Sequence, residues 1–152
     1  MKIKLLALAA IMATSFTAAS EDYEQFGDWY FVSSIDALTG EDKSVAIIMN
    51  DRKSLSIRCE NGELRPLLSP NTYLGSDGVA VDYRVGHNAV SSFNANLSTT
   101  GTVVFMPSSL VAELKTGDSA VFRVRDFRGT PYTSEFSLNG FEQAVSKISC
   151  SH

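Results

Sequence analysis

Cysteine, histidine, tryptophan and proline are all scarce in this chain: two, two, one and four among 152 residues. Each scarcity excludes something. With two cysteines and no C-x-x-C, there is no redox-active pair. Two thiols and two histidines far apart in sequence also make a poor tetrahedral zinc set. The histidines offer little for acid–base chemistry: His87 sits in the turn-like Val85-Gly86-His87-Asn88, and His152 is the final residue. No G-x-S-x-G elbow or comparable signature draws the many serines into a nucleophilic constellation. No catalytic residue, metal or cofactor is therefore expected. The chain has no Pro-rich linker, internal repeat or low-complexity tract. Basic charge is not in excess: 13 Lys and Arg stand against 17 Asp and Glu, a net charge of −4. That balance gives no electrostatic reason to seek nucleic acid or anionic lipid. Beyond the amino end, no stretch is long and apolar enough to span a bilayer.

What the amino end does contain is an export signal. Lys2 and Lys4 precede an apolar run from Leu5 to Phe16, and Thr17-Ala18-Ala19-Ser20 then supplies small residues for a signal-peptidase cleft. Residues 1–19 read as a signal peptide and 20–152 as a single domain. Thr14, Ser15, Thr17 and Ser20 interrupt the apolar stretch and Glu21 and Asp22 follow it, so a retained membrane helix is not expected. Removing Lys2 and Lys4 leaves 11 basic against 17 acidic residues, a net charge near −6. In an exported chain the two cysteines, Cys59 and Cys150, are expected to pair. The bridge would close a 92-residue loop, worth roughly 4–5 kcal/mol in the chain-entropy account.

The remaining pattern is that of strands. GDWYFVSS (27–34) is aromatic and β-branched, and SVAIIM (44–49) is apolar on both faces, which predicts a central strand between packed layers. From Ser54 to Cys59 the chain alternates, with Leu55, Ile57 and Cys59 inward. Asn61-Gly62 marks a hairpin, and Pro66 in the return strand suggests an edge or irregularity. Val79, Val81, Tyr83 and Val85 alternate against Ala80, Asp82 and Arg84. Residues 86–100 read as a loop carrying at most a short strand at 91–94. Further strands are expected at 102–106, 120–125 and 132–138. Short helices follow Ser108, as a cap, and Asn139 or Gly140. The sum is a mainly β protein: a β-sandwich of seven to nine short antiparallel strands with two short helices and one disulfide.

Two clusters suggest ligands. Asp36, Glu41 and Asp42 share a loop, but without the spacing of an EF-hand. Arg58, Arg84, Arg123 and Arg125 all fall on outward strand positions. If their strands are neighbours, they form a face suited to carboxylates or anionic glycans.

Taken in order, Gly27-Asp28-Trp29, Asp36-Ala37-Leu38-Thr39, LSIRC (55–59), VDYRV (81–85), FRVRD (122–126) and EFSLNGFEQAVSKISC (135–150) resemble the VasI-type accessory proteins of type VI secretion. The likeness spans nearly the whole mature chain and lies in the order of the segments, with Ala37 where that layout has proline. The resemblance implies a periplasmic, non-enzymatic accessory with an envelope protein as partner and no stable membrane insertion after signal cleavage. A periplasmic inhibitor of a cell-wall hydrolase, entering its target with the 86–100 loop, is the alternative, and a wall-acting enzyme centred on His87 a third.

Overall fold

The computed structural model describes residues 22–150. The expected signal peptide and His152 lie outside the described residues. Ten strands and two helices follow in the order β1 (Tyr23–Phe26), β2 (Trp29–Val32), β3 (Val45–Asn50), β4 (Lys53–Glu60), β5 (Glu63–Ser69), β6 (Val79–Val85), β7 (Ser91–Leu97), β8 (Val104–Phe105), α1 (Leu110–Leu114), β9 (Ser119–Arg125), β10 (Pro131–Ser137) and α2 (Phe141–Ser146). All paired strands are antiparallel, in the order β1-β2-β3-β4-β5-β8-β7-β6-β9-β10, open at β1 and β10. The count exceeds the expected seven to nine for two reasons. The turn at Gly27-Asp28 splits off β1, which pairs with β2. Residues 91–97, expected to be mostly loop, form a full strand.

The sheet turns a corner at β7. Ser91 to Ala95 pair with β6, whereas Asn96 and Leu97 pair with β8. A strand that changes partners along its length carries the chain from one layer of a sandwich to the other. Pro66 sits where this arrangement tolerates it: β5 has β4 beside it throughout, but β8 joins only at Leu67 and Leu68. Between the layers lie Trp29, Leu55, Ile57, Val81, Phe122 and Phe136, all essentially without solvent contact. Each such side chain contributes roughly 1.5–3 kcal/mol by burial. The two helices add Leu110, Val111 and Leu114 from α1 and Phe141, Ala144 and Val145 from α2. Neither helix has a side-chain cap: Ser109, not Ser108, is the N-cap of α1, and it makes no capping bond.

One seam closes the sandwich without strand pairing. β10 has a ladder only with β9, so its outward carbonyls would be orphan acceptors. Every second carbonyl is instead taken by a donor from the opposite layer. Lys53 Nζ donates to Thr133 O (2.7 Å), Asn50 Nδ2 to Glu135 O (2.8 Å) and Trp29 Nε1 to Ser137 O (2.9 Å). The Asp28 amide donates to Asn139 O (3.0 Å). Gly140, next in line, has φ +89°, and a Cβ there would fall 1.7 Å from Phe26 O, so only glycine fits.

The disulfide Cys59–Cys150 is formed, with the Cα atoms 5.3 Å apart and a sequence separation of 91. Both cysteines are half-buried at the rim, packed against the core. Cys59 is therefore less deep than its alternation with Leu55 and Ile57 predicts, because β4 runs out of the sandwich at its end.

Replacing both cysteines by alanine should cost about 2–5 kcal/mol of unfolding free energy in urea titrations. Intact mass of the wild type should rise by two hydrogens on reduction. Trp29→Phe keeps the buried ring but removes the N–H, and should cost about 1–3 kcal/mol because Ser137 O loses its partner. Lys53→Met, at an exposed bond, should cost less than about 1 kcal/mol. Equal losses for the two would mean that the seam is not organised around the tryptophan.

Candidate binding surfaces

The four arginines singled out in the sequence do not share one face. Arg58 lies on β4, in the opposite half of the strand order from the others, and is already engaged. Its Nη2 stands 3.2 Å from Glu60 Oε1, while Arg65 Nε stands 2.8 Å from Glu60 Oε2. The Arg58 guanidinium also lies over the Phe105 ring, 5.9 Å from its centroid. Arg84 is on β6, and Arg123 and Arg125 are on β9, which pairs with β6. These three point outward from the same pair of strands, since Val81, Val85, Phe122 and Val124 fill the inward positions. Among the described residues none of the three makes a salt bridge.

Arg123 and Arg125 line the floor of an open groove of about 550 Å³. It is also lined by the segment from Tyr73 to Gly78 that leads into β6, which forms its wall, and by Phe127, which with Tyr73 forms its lip. The two rings meet edge to face, 5.7 Å between centroids, yet remain 65% and 51% exposed. The wall is held in place. Leu74 is buried, and its amide donates to Gly101 O at 2.7 Å. Gly101, at φ +68°, lies so close beneath the Tyr73 ring that a Cβ would fall 2.5 Å from Tyr73 Cε2. On the floor, Arg123 Nε donates to Thr133 Oγ1 (3.1 Å), which orients the fork and leaves its terminal nitrogens free. Asp82, the cross-strand neighbour of Arg123, accepts a hydrogen bond from Ser92 (2.6 Å). The groove was not legible in the sequence as a unit, because its wall and floor come from segments far apart in the chain.

A second surface lies on the outer side of β1–β3. SVAIIM is apolar on both faces, but it is not enclosed between layers as expected. Ala46 and Ile48 are buried, Val45 and Ile47 are half-exposed, and Met49 is 67% exposed. Beside them stand Tyr30, cross-strand from Ile47, and Tyr23, whose ring centroid is 6.2 Å from that of Tyr30. This is a continuous apolar face with no covering element among the described residues.

The acidic loop spends its oxygens on its own backbone. Asp36 Oδ1 accepts from the amides of Thr39 and Leu38, which hold the carboxyl below its ordinary value. Burial works to raise the Asp42 carboxyl, but hydrogen bonds from Ser44 and from the amide of Ser149 outweigh it and lower the pKa. The Ser149 bond, 3.1 Å, ties this loop to the residue beside Cys150. Asp126 behaves alike: burial opposes its charge, and the amides of Thr130 and Arg128 with the Arg128 guanidinium prevail. Among the described residues, no three His, Cys, Asp or Glu side chains gather as a metal site would require. His87 stands exposed in the β6–β7 turn. Of the 86–100 segment expected to protrude, Ser91–Leu97 form β7. Among the described residues no helix is long and apolar enough to cross a membrane.

No family model matches the chain, and no curated protein does. A solved structure does: the fold is similar to that of invasion associated protein B from Bartonella henselae, with a TM-score of 0.61 and 16% identity over 82% of this chain and 92% of that one.

Asp42 and Asp126 are depressed below their unfolded value of 3.8. Each therefore adds stability that is present above that pH and is lost as pH falls through the native pKa. Urea midpoints measured from about pH 5 down to about pH 2 should fall, and Asp126→Asn should flatten that decline. An unchanged slope would detach Asp126 from acid stability.

Proposed function

We propose that the protein is an exported, non-catalytic binding protein of the cell envelope that works by protein–protein contact through the outer face of β1–β3. The observation that carries this reading is the exposed apolar cluster of Tyr23, Tyr30, Ile47 and Met49. Apolar surface gathered on one face of a domain with a well-filled core is characteristic of an interaction site. The disulfide fits an oxidising compartment, and the sequence carries an export signal. Both features support export, and residence in the periplasm is the finer part of this reading. The exposed His87, with no carboxylate or hydroxyl hydrogen-bonded to it among the described residues, favours binding over hydrolysis. In its finer form the reading makes the protein an accessory of a type VI secretion apparatus, and what supports that step is the resemblance running from Gly27 to Cys150. The fold likeness is compatible with this reading without naming a partner.

Cross-linking of the tagged protein in its native host, followed by mass spectrometry of what it retains, tests the proposal. Envelope components of a secretion machine should be recovered with the wild type. Recovery should drop at least tenfold with Tyr30→Glu/Met49→Glu, a change of about 1.4 kcal/mol or more in contact energy. Recovery unaffected by the double variant would move the contact elsewhere. Secretion unchanged on deletion, with no envelope protein retained, would reject the accessory role.

A further inference from the structure

The groove between β9 and the 73–78 wall is separate from the apolar face, and its chemistry differs. We propose that it binds a carboxylate-bearing oligosaccharide. Three observations converge on that ligand class, and none depends on the protein-contact role.

The first is a pair of guanidiniums without a carboxylate partner among the described residues, Arg125 making only a long bond from Nη1 to Gly129 O (3.5 Å). Arg123 and Arg125 occupy alternate positions on one strand, so their Cα atoms lie roughly 7 Å apart on the same side. Neither is in a salt bridge among the described residues, and Arg123 is held by Thr133 with its terminal nitrogens unspent. A planar fork in that state is suited to a bidentate carboxylate. The second is the lip. Tyr73 and Phe127 meet edge to face and remain largely exposed; the Arg128 guanidinium lies over the Phe127 ring, 5.2 Å from its centroid, and the remaining ring surface offers a platform for the apolar face of a sugar ring. Because Gly101 and Leu74 fix the wall, little ordering is needed on binding. The third is what sits beside the arginines. Asp77, Asp82 and Asp126 line the same groove; Asp126 is taken up by the amides of Arg128 and Thr130, which leaves Asp77 and Asp82, and carboxylates are acceptors only. A ligand with carboxylates but no hydroxyl donors, such as an acidic peptide, would leave these aspartates facing like charge. A ligand that carries both carboxylates and many hydroxyls satisfies the two sets, pairing acid with the arginines and donating hydroxyls to the aspartates.

Titration calorimetry of the purified mature protein tests the assignment with four probes. Two carry carboxylates from different sources: a wall-type tetrasaccharide of alternating N-acetylglucosamine and N-acetylmuramic acid, and a tetragalacturonate. Chitotetraose is the neutral sugar control, and hexaglutamate the acidic peptide control. At least one acidic sugar should bind, at least tenfold more tightly than chitotetraose, and which one binds identifies the source. Arg123→Gln/Arg125→Gln should weaken it at least tenfold with an unchanged melting temperature. Phe127→Ala, on the exposed lip, should weaken it severalfold and keeps the test open should the arginine variant fold poorly. Failure of both acidic sugars to bind would overturn the inference. So would binding indifferent to the arginine and phenylalanine changes, or tighter binding of hexaglutamate. None of these outcomes touches the cross-linking result on the β1–β3 face, so the two proposals fail separately.

Discussion

The hydrogen bond from the indole of Trp29 to the carbonyl of Ser137 is the contact on which the closure of this molecule turns. A sandwich made from one continuous antiparallel order has two free edges, and a free edge is a row of unsatisfied backbone groups. Here the β10 edge is covered by donors instead of a further strand, and the single tryptophan is the only buried one among them. Its ring also packs edge to face on Phe141, 4.9 Å between centroids. One side chain therefore sets both the position of β10 and that of α2. The Asp28–Asn139 backbone bond and the close approach of Gly140 to Phe26 follow from that placement, and α2 in turn leads to Cys150.

The two layers present different surfaces because each uses its outward positions differently. On β1–β3 those positions are mostly Tyr, Val, Ile and Met, with Gln25 opposite Tyr30. On β6 and β9 they are Asp82, Arg84, Arg123 and Arg125 with Ala80, Ser119 and Val121, and the 73–78 segment folds over one end. On β1–β3 an apolar contact buries no arginine, which avoids a desolvation cost rarely recovered. Arg58 illustrates the other use of a charged strand residue: shared through Glu60 with Arg65 and laid over Phe105, it braces the sheet and is not available for binding.

Much of the fold was written in the alternation of the chain. Leu55 and Ile57, then Val79, Val81 and Val85, lie inward as their period of two requires, and the pairing of Cys59 with Cys150 followed from the export signal and the cysteine count. The misreadings have physical causes. β7 was hard to see because its inward residues, Phe93, Ala95 and Leu97, are interleaved with Ser92, Asn94 and Asn96, which favour turns as much as strands. β1 was hidden by the lack of a strong turn signal beyond Gly27-Asp28. SVAIIM was misplaced because an apolar outer face reads the same whether another layer or a partner covers it. Of the arginine cluster, local pattern gave the outward orientation of all four, but only strand order could show that Arg58 stands apart. Tyr73 and Phe127 gave no sequence signal at all, since what makes them a lip is the tertiary approach of one loop to the end of another strand.

The seam and the disulfide have a consequence for the order of assembly. Trp29 reaches Ser137, Asp28 reaches Asn139 and Cys59 reaches Cys150, so each contact that closes the sandwich joins the first part of the domain to its last few residues. Loops of this length close slowly, and topologies dominated by such contacts fold late and cooperatively. A chain emerging amino end first has nothing to complete its core with until β10 and α2 are free. It stays open to threading for almost its whole length, and becomes a folded domain only once the carboxyl end has arrived.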